Sequence, residues 1–221
     1  MNHRASSFPD YLDMPLRGRS RLLLVLLVVP LLASFLFPLW RISMTAPQYP
    51  KGLWLDIHAS RLTAGNAGHD LAEINTLNHY IGMARITREE LRDLDWMPFG
   101  LVAIALLTLR CAALGNVRAL IDLSMITAYV TMVALARFIF MLWEFGHNLD
   151  PKAPMRMEPF MPVVFGQKQI ANFMTYSWPR FGSVLLGTFA TGVFLLTAFL
   201  LWTGRREARA QLAMRSAPAA Q

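Results

Sequence analysis

The sequence predicts an all-α integral membrane protein with four transmembrane helices, a small external strand-plus-helix segment and a Pro/Met-rich external loop. Three observations carry that reading. The chain is 55% hydrophobic, with a mean hydropathy of +0.38, yet 16% of its residues are charged, the mixture of greasy spans and polar loops. Four apolar runs, residues 22–41, 97–115, 119–143 and 182–203, have the length needed to cross a hydrocarbon core of roughly 30 Å, about 20 residues of helix. Finally, the arginines cluster at alternate ends of those runs.

Residues 1–21 form an N-terminal tail. The run at 22–41 follows Arg17, Arg19 and Arg21, as a secretory signal would, but its apolar stretch is longer than a signal's. Pro47 also stands just past the only small-residue cleavage point, so the run is predicted to remain as an anchor. Arg4, Arg17, Arg19 and Arg21 precede this helix, Arg110 and Arg118 flank the short second-to-third turn, and Arg205, Arg206, Arg209 and Arg215 follow the last helix. With four crossings all three groups fall on one side, which predicts a multi-pass bacterial inner-membrane protein with both termini cytoplasmic. The net charge of +7 and pI near 10.2 are then mostly topological bias. The basic residues do not form an aromatic-interleaved groove, so nucleic acid is not an expected partner; the lipid bilayer is.

Residues 42–96 and 144–181 are expected outside. In the first, "LWLDIHA" alternates Leu53, Leu55, Ile57 and Ala59 with Trp54, Asp56 and His58 and reads as a short strand, and "TAGNAG" as a turn. "HDLAEINTLNHYIGM" carries Leu71, Ile74, Leu77 and Ile81 at helical spacing, Asp70 and Glu73 as a capping box, and Gly82 where a helix should stop. A second capping box, Thr87 to Glu90, predicts a short charged helix running into Trp96. The segment 144–181 holds Pro151, Pro154, Pro159, Pro162 and Pro179, which predicts an ordered loop without central strands, with "QKQIANFMTY" as an interfacial helical turn or two. Residues 204–221, including "RREARAQLAMRSAPAAQ", read as a basic helix end fraying into a cytoplasmic tail.

Candidate chemistry lies on the external side. Of five histidines, His3 is on the cytoplasmic side and His58, His69, His79 and His147 are external; none is at the mid-membrane depth where facing helices hold haem. His79 and Met83 are neighbours at a helix end, and "MRMEPFM" sets Met155, Met157 and Met161 close together. Imidazole binds copper in either oxidation state and neutral thioether suits Cu(I), so the expected metal is copper, with His79, Met83, His147, Met155, Met157 and Met161 as candidate ligands. Packing stands beside ligation for each of them, because methionine fills irregular apolar gaps and a histidine on an amphipathic helix is often packed or solvated. Arg137, inside the third helix, is expected to pair with Glu144 two turns on or to line a polar seam. The single cysteine, Cys111, permits no intrachain disulfide. No Gly-rich phosphate loop, GxSxG, HExxH or di-iron carboxylate cluster is present, so no catalytic residue is assigned and enzymatic activity by this chain alone is not expected.

At "GHDLAEINTLNHYIGM", and again at "GHNLDPKAP" with "QIANF", the sequence resembles a family of small bacterial membrane proteins associated with respiratory and copper-enzyme maturation of the nitrous oxide reductase type. The two motifs cover about a quarter of the chain. The resemblance implies a shared surface of Glu73, Asn75, Asn78, His79, Tyr80, Gly82, Met83, His147, Asn148, Asp150 and Pro151, and places His79 near the His147 loop. Residues and resemblance together lead to one expectation: the periplasmic face binds or delivers copper for assembly of a partner metalloenzyme, within a larger membrane or periplasmic complex. The alternative is a non-catalytic accessory or structural subunit of a membrane respiratory or oxygenase complex. A transporter built from an oligomer is a third reading.

Overall fold

A computed structural model of the chain describes residues 11–170 and 172–216, with side chains up to Arg206. His3, Arg4, residues 217–221 and the side chains of Arg209 and Arg215 lie outside the described residues. In chain order the elements are α1 (Gly18–Ala33), β1 (Trp40–Ala46), β2 (Tyr49–Ile57), β3 (Leu62–Ala64), α2 (His69–Tyr80), α3 (Asp93–Leu114), α4 (Val117–His147), β4 (Gly166–Ile170), β5 (Phe173–Pro179) and α5 (Phe181–Ser216). Four helices, α1 with the 3-10 turn after it, α3, α4 and α5, are long and apolar enough to cross a membrane.

The all-α prediction is overturned by a five-stranded antiparallel sheet of order β3-β2-β1-β5-β4. Its central strand, β1, begins inside the run read as the first span. The helical run, α1 and the 3-10 turn Ser34–Leu36, ends there because Pro38 pushes Phe37 into the extended region, at φ −118° and ψ 151°. The chain then alternates Trp40, Ile42, Met44 and Ala46 with Arg41, Ser43 and Thr45, a period-two pattern that suits a strand. The proline-rich segment likewise holds β4 and β5 rather than a loop with helical turns. Pro162 and Pro179 leave residues 163–178 free of proline, and Pro179 ends β5, where a missing N–H costs little. The predicted helix at Thr87–Glu90 is only a turn, closed by the Glu90 amide donating to Thr87 Oγ1 at 3.4 Å.

The chain divides into two compact units. One contains Ala33–Leu101 and Thr131–Leu186, hence the whole sheet and α2. Register places Ile42 between Leu55 and Ser177, and Met44 between Leu53 and Thr175, so one sheet face is largely apolar. Helix α2 packs on it through Ile74, Leu77 and Ile81, giving a core shared with Leu53, Leu55 and Phe173. Truncating such a buried leucine to alanine costs about 2–5 kcal/mol. The opposite face carries Arg41, Trp54 and Asp56. Arg41 grips the nearly buried Asp56 through two hydrogen bonds of 2.6 Å, and its guanidinium lies 4.3 Å over the Trp54 ring. Removing Arg41 would leave the buried Asp56 carboxylate unpaired, whereas Arg41 itself reaches solvent, so the two halves of the pair are not equivalent.

The other unit contains the described residues up to Leu32, Val102–Val130 and the chain from Gly187 onward. Its interior is built from Leu24, Leu31, Leu120 and Val193, all fully buried. Small polar residues join the helices there: the Ser124 and Thr197 hydroxyls lie 2.6 Å apart, so one donates to the other, and the accepting one donates to the carbonyl four residues back in its own helix. At the ends Arg118 pairs with Asp13 at 3.1 Å, and Arg21 donates to the Leu16 and Ala113 carbonyls.

Candidate functional site

The stretch "INTLNHYIGM" forms the second half of α2 and its cap. The helix ends in a Schellman arrangement: the Gly82 amide donates to the His79 carbonyl at 3.2 Å and the Met83 amide to the Asn78 carbonyl at 2.8 Å. Gly82 takes φ +82°, the left-handed conformation that glycine adopts without strain. At the helix start, the capping residues predicted from sequence are used differently. The N-cap is Gly68 without a side-chain cap; Asp70 accepts from the Trp54 amide at 3.1 Å, and Glu73 accepts a very short hydrogen bond from the Tyr49 hydroxyl. That bond to the Glu73 carboxylate, with some loss of water and the carboxylate's charge, raises the Tyr49 phenol above its ordinary pKa. Both carboxylates therefore bind α2 to β2.

The chain beyond Gly82 is held by Asn75. Its amide donates to the Ile86 carbonyl at 3.1 Å and its carbonyl oxygen accepts from the Ile86 amide at 2.7 Å. The loop after α4 is fastened to the same helix end. The Asp150 amide donates to the Gly82 carbonyl at 2.8 Å and the Met155 amide to the Tyr80 carbonyl at 3.0 Å. Asp150 Oδ1 accepts from the Lys152 amide at 2.8 Å, an Asx turn that shapes the loop. Gly146 accepts from the Phe160 amide at 3.0 Å, and any Cβ on Gly146 would overlap the Phe160 carbonyl oxygen. The stretches "INTLNHYIGM" and "GHNLDPKAP", distant in sequence, therefore meet.

Between them lies an open cleft of ≈ 460 Å³. His79, Gly82, Met83 and Arg85 form one wall, and Asn148, Leu149 and Asp150 the other. His79 is exposed, and among the described residues its imidazole has no hydrogen-bond partner. Of the predicted ligands, only His79 and Met83 line this cleft. His147 stacks on Trp143 at 4.4 Å, and because the Trp143 carbonyl can only accept, His147 Nδ1 donates their 2.9 Å bond. Met157 packs with Met83 against the sheet core. Met155 is exposed, and the Met161 carbonyl accepts from Lys168 Nζ at 2.7 Å. Among the described residues no three His, Cys, Asp or Glu side chains come together. The cleft residues that carry potential metal-donor side chains are His79, Met83, Asn148 and Asp150, and Met83 also packs against the sheet core.

Three features escaped sequence reasoning. Arg137 pairs with Asp93, at 3.1 Å, instead of with Glu144. Two turns of helix separate Arg137 from Glu144, whereas Asp93 opens α3 within reach. The Arg41–Asp56 pair joins adjacent strands in register, which local spacing does not reveal. Asn78 and His58 are buried with an unpartnered side-chain nitrogen each, Nδ2 and Nδ1. Burial, reinforced by Arg61, lowers the His58 pKa against a smaller opposing pull from Asp56.

Comparison with protein-family models, with characterised proteins and with solved structures finds no match to this chain.

Proposed function

We propose that the sheet-bearing unit of this membrane protein faces the periplasm and binds copper, or passes it to a partner metalloenzyme, at the cleft between Gly82 and Asp150. The observation that supports this reading is the convergence of the two motifs on one cleft, with His79, whose imidazole has no hydrogen-bond partner among the described residues, Met83 and Asp150 among its lining residues. Imidazole and thioether form a soft, neutral pair suited to Cu(I), and an open cleft allows ligand exchange with a partner's own donors. The bacterial inner membrane and cytoplasmic termini belong to the same proposal. In support, the sequence of the unit without the sheet carries ten Lys/Arg, among them Arg17, Arg19, Arg21, Arg110, Arg118, Arg205 and Arg206, against four Asp/Glu, whereas the sheet-bearing unit carries eleven against ten.

The test is copper content by mass spectrometry after loading and washing the detergent-purified protein. Wild type is expected to retain near-stoichiometric copper, His79→Ala and Met83→Leu at least tenfold less, and Met155→Leu the wild-type amount. Copper that is sub-stoichiometric, or unchanged in His79→Ala, overturns the reading.

One observation favours the accessory-subunit alternative. Residues 131–137 of α4 are exposed in unbroken succession, hence on every side of the helix, and only 11% of this span's apolar window is buried against 28–33% for the others. A neighbouring membrane helix would cover it. Co-purification of a larger assembly in mild detergent, with wild-type copper in His79→Ala, is the outcome that selects this alternative.

A further inference from the structure

The sheet-bearing unit contains a second space, unlike the cleft in chemistry. Ile42 and Leu55 of the sheet, Leu77 and Ile81 of α2, and Leu142 and Phe145 of α4 surround a cavity of ≈ 90 Å³ in which Thr175 supplies the only polar side chain. An apolar cavity of this kind stays dry and takes up apolar molecules; one of about 150 Å³ engineered into another protein binds benzene. Some 90 Å³ matches the end of a hydrocarbon chain. A peptide is a poor occupant, since its buried amides would find almost no partners and each would cost about 1–3 kcal/mol.

Position supplies the source of the hydrocarbon. Leu91 and Met141 also line the cavity. Leu91 lies two residues before Asp93, where α3 begins, and Met141 one helical turn after Arg137 on α4. The Arg137–Asp93 pair thus sits where two membrane-crossing helices reach the sheet side, a level at which charge is tolerated because it meets headgroups and water. On α4 the lining of the cavity begins one turn beyond, at Met141. Phe140 and Trp143, flanking its lining residues on α4, are exposed apolar surface continuous with that span.

We propose that this cavity is a lipid site that receives the end of one acyl chain from a phospholipid of the surrounding bilayer. The proposal does not depend on copper binding, although Met83 lines both the cavity and the cleft, so a chain in place would touch a cleft wall from behind.

The test reconstitutes the full chain in vesicles of a phosphatidylcholine carrying a diazirine at the end of one acyl chain, followed by irradiation and mapping of labelled residues. Label is expected within residues 77–91 and 141–145, in addition to exposed span residues such as Met132 and Leu135. Leu77 and Ile81 are buried, so bilayer contact alone does not label them. Filling the space with Ile42→Phe should reduce label on 77–91 at least fivefold and leave Leu135 unchanged, with thermal melting to verify the fold; Leu142→Phe is the second variant. Absence of label on 77–91 in wild type overturns the proposal whether or not the variants fold. Label that persists in a folded filling variant also overturns it, as does label obtained from a free diazirine fatty acid but not from the phospholipid.

Discussion

Gly82 and Gly68 both take positive φ, +82° and +96°, but their surroundings differ. A Cβ at Gly68 would meet open space, whereas at Gly82 it would lie 3.1 Å from the backbone nitrogen and oxygen of Asp150. Gly68→Ala therefore carries only the conformational cost, about 1–2 kcal/mol. Gly82→Ala should cost more and loosen the loop, and denaturation of the two variants side by side measures the difference. His58 yields a pH dependence. Its folded pKa lies below the ordinary 6.5, so above that value neither state binds the proton and stability is unaffected. As pH falls below 6.5 the unfolded chain takes up a proton that the buried ring resists, and stability declines. Melting temperatures between pH 7.5 and 5.5 should fall in wild type and fall less in His58→Gln; parallel curves would show that His58 has no part in the decline.

Secondary elements here owe their position to partners distant in sequence. Strand β1 pairs with β2, its immediate successor, and with β5, which follows two membrane-crossing helices. Ser43 faces Tyr176 across that second junction. Opposed antiparallel residues have Cα atoms about 4.5–5.5 Å apart, within the span a disulfide bridges. In a Cys111→Ser background, Ser43→Cys with Tyr176→Cys should oxidise readily and migrate as a crosslinked species after cleavage in the loop between. Ser43→Cys with Met174→Cys should oxidise poorly, and the opposite preference would mean a register slipped by two residues. Helix α2 is fixed by the same logic: its carboxylates reach β2 and its last turn holds the loop after α4.

At the scale of the whole molecule, Arg17, Arg19, Arg21, Arg110, Arg118, Arg205 and Arg206 belong to the unit without the sheet and the candidate cleft to the unit with it, and the proposed orientation puts the cleft outside. Membrane-impermeant maleimide on intact cells should therefore label Ser60→Cys, near β2, and spare Leu114→Cys, at the end of α3, until the membrane is opened; both are in a Cys111→Ser background. Labelling of Leu114→Cys alone in intact cells would invert the proposed orientation.

The sequence by itself determined the features that depend on local periodicity and composition. Apolar runs longer than 18 residues mark the membrane-crossing helices, Leu53, Leu55 and Ile57 alternate as a strand must, and Ile74, Leu77 and Ile81 followed by Gly82 define α2 and its end. Even the misread strand was partly legible, since Trp40 to Ala46 alternates and Pro38 forbids the helix that hydropathy extends through it. Only the tertiary structure decided that these strands form one sheet, because β4 is polar at Gln167, Lys168 and Gln169 and acquires its strand conformation by pairing with β5. It likewise decided that Arg137 meets Asp93, that Met157 packs against the core, and that His79 and Met83 line one cleft with Asn148, Leu149 and Asp150. Local spacing fixes which residues share a face of one element; which faces meet depends on hydrogen bonds and apolar contacts between segments far apart in sequence, and the folded chain alone brings those together.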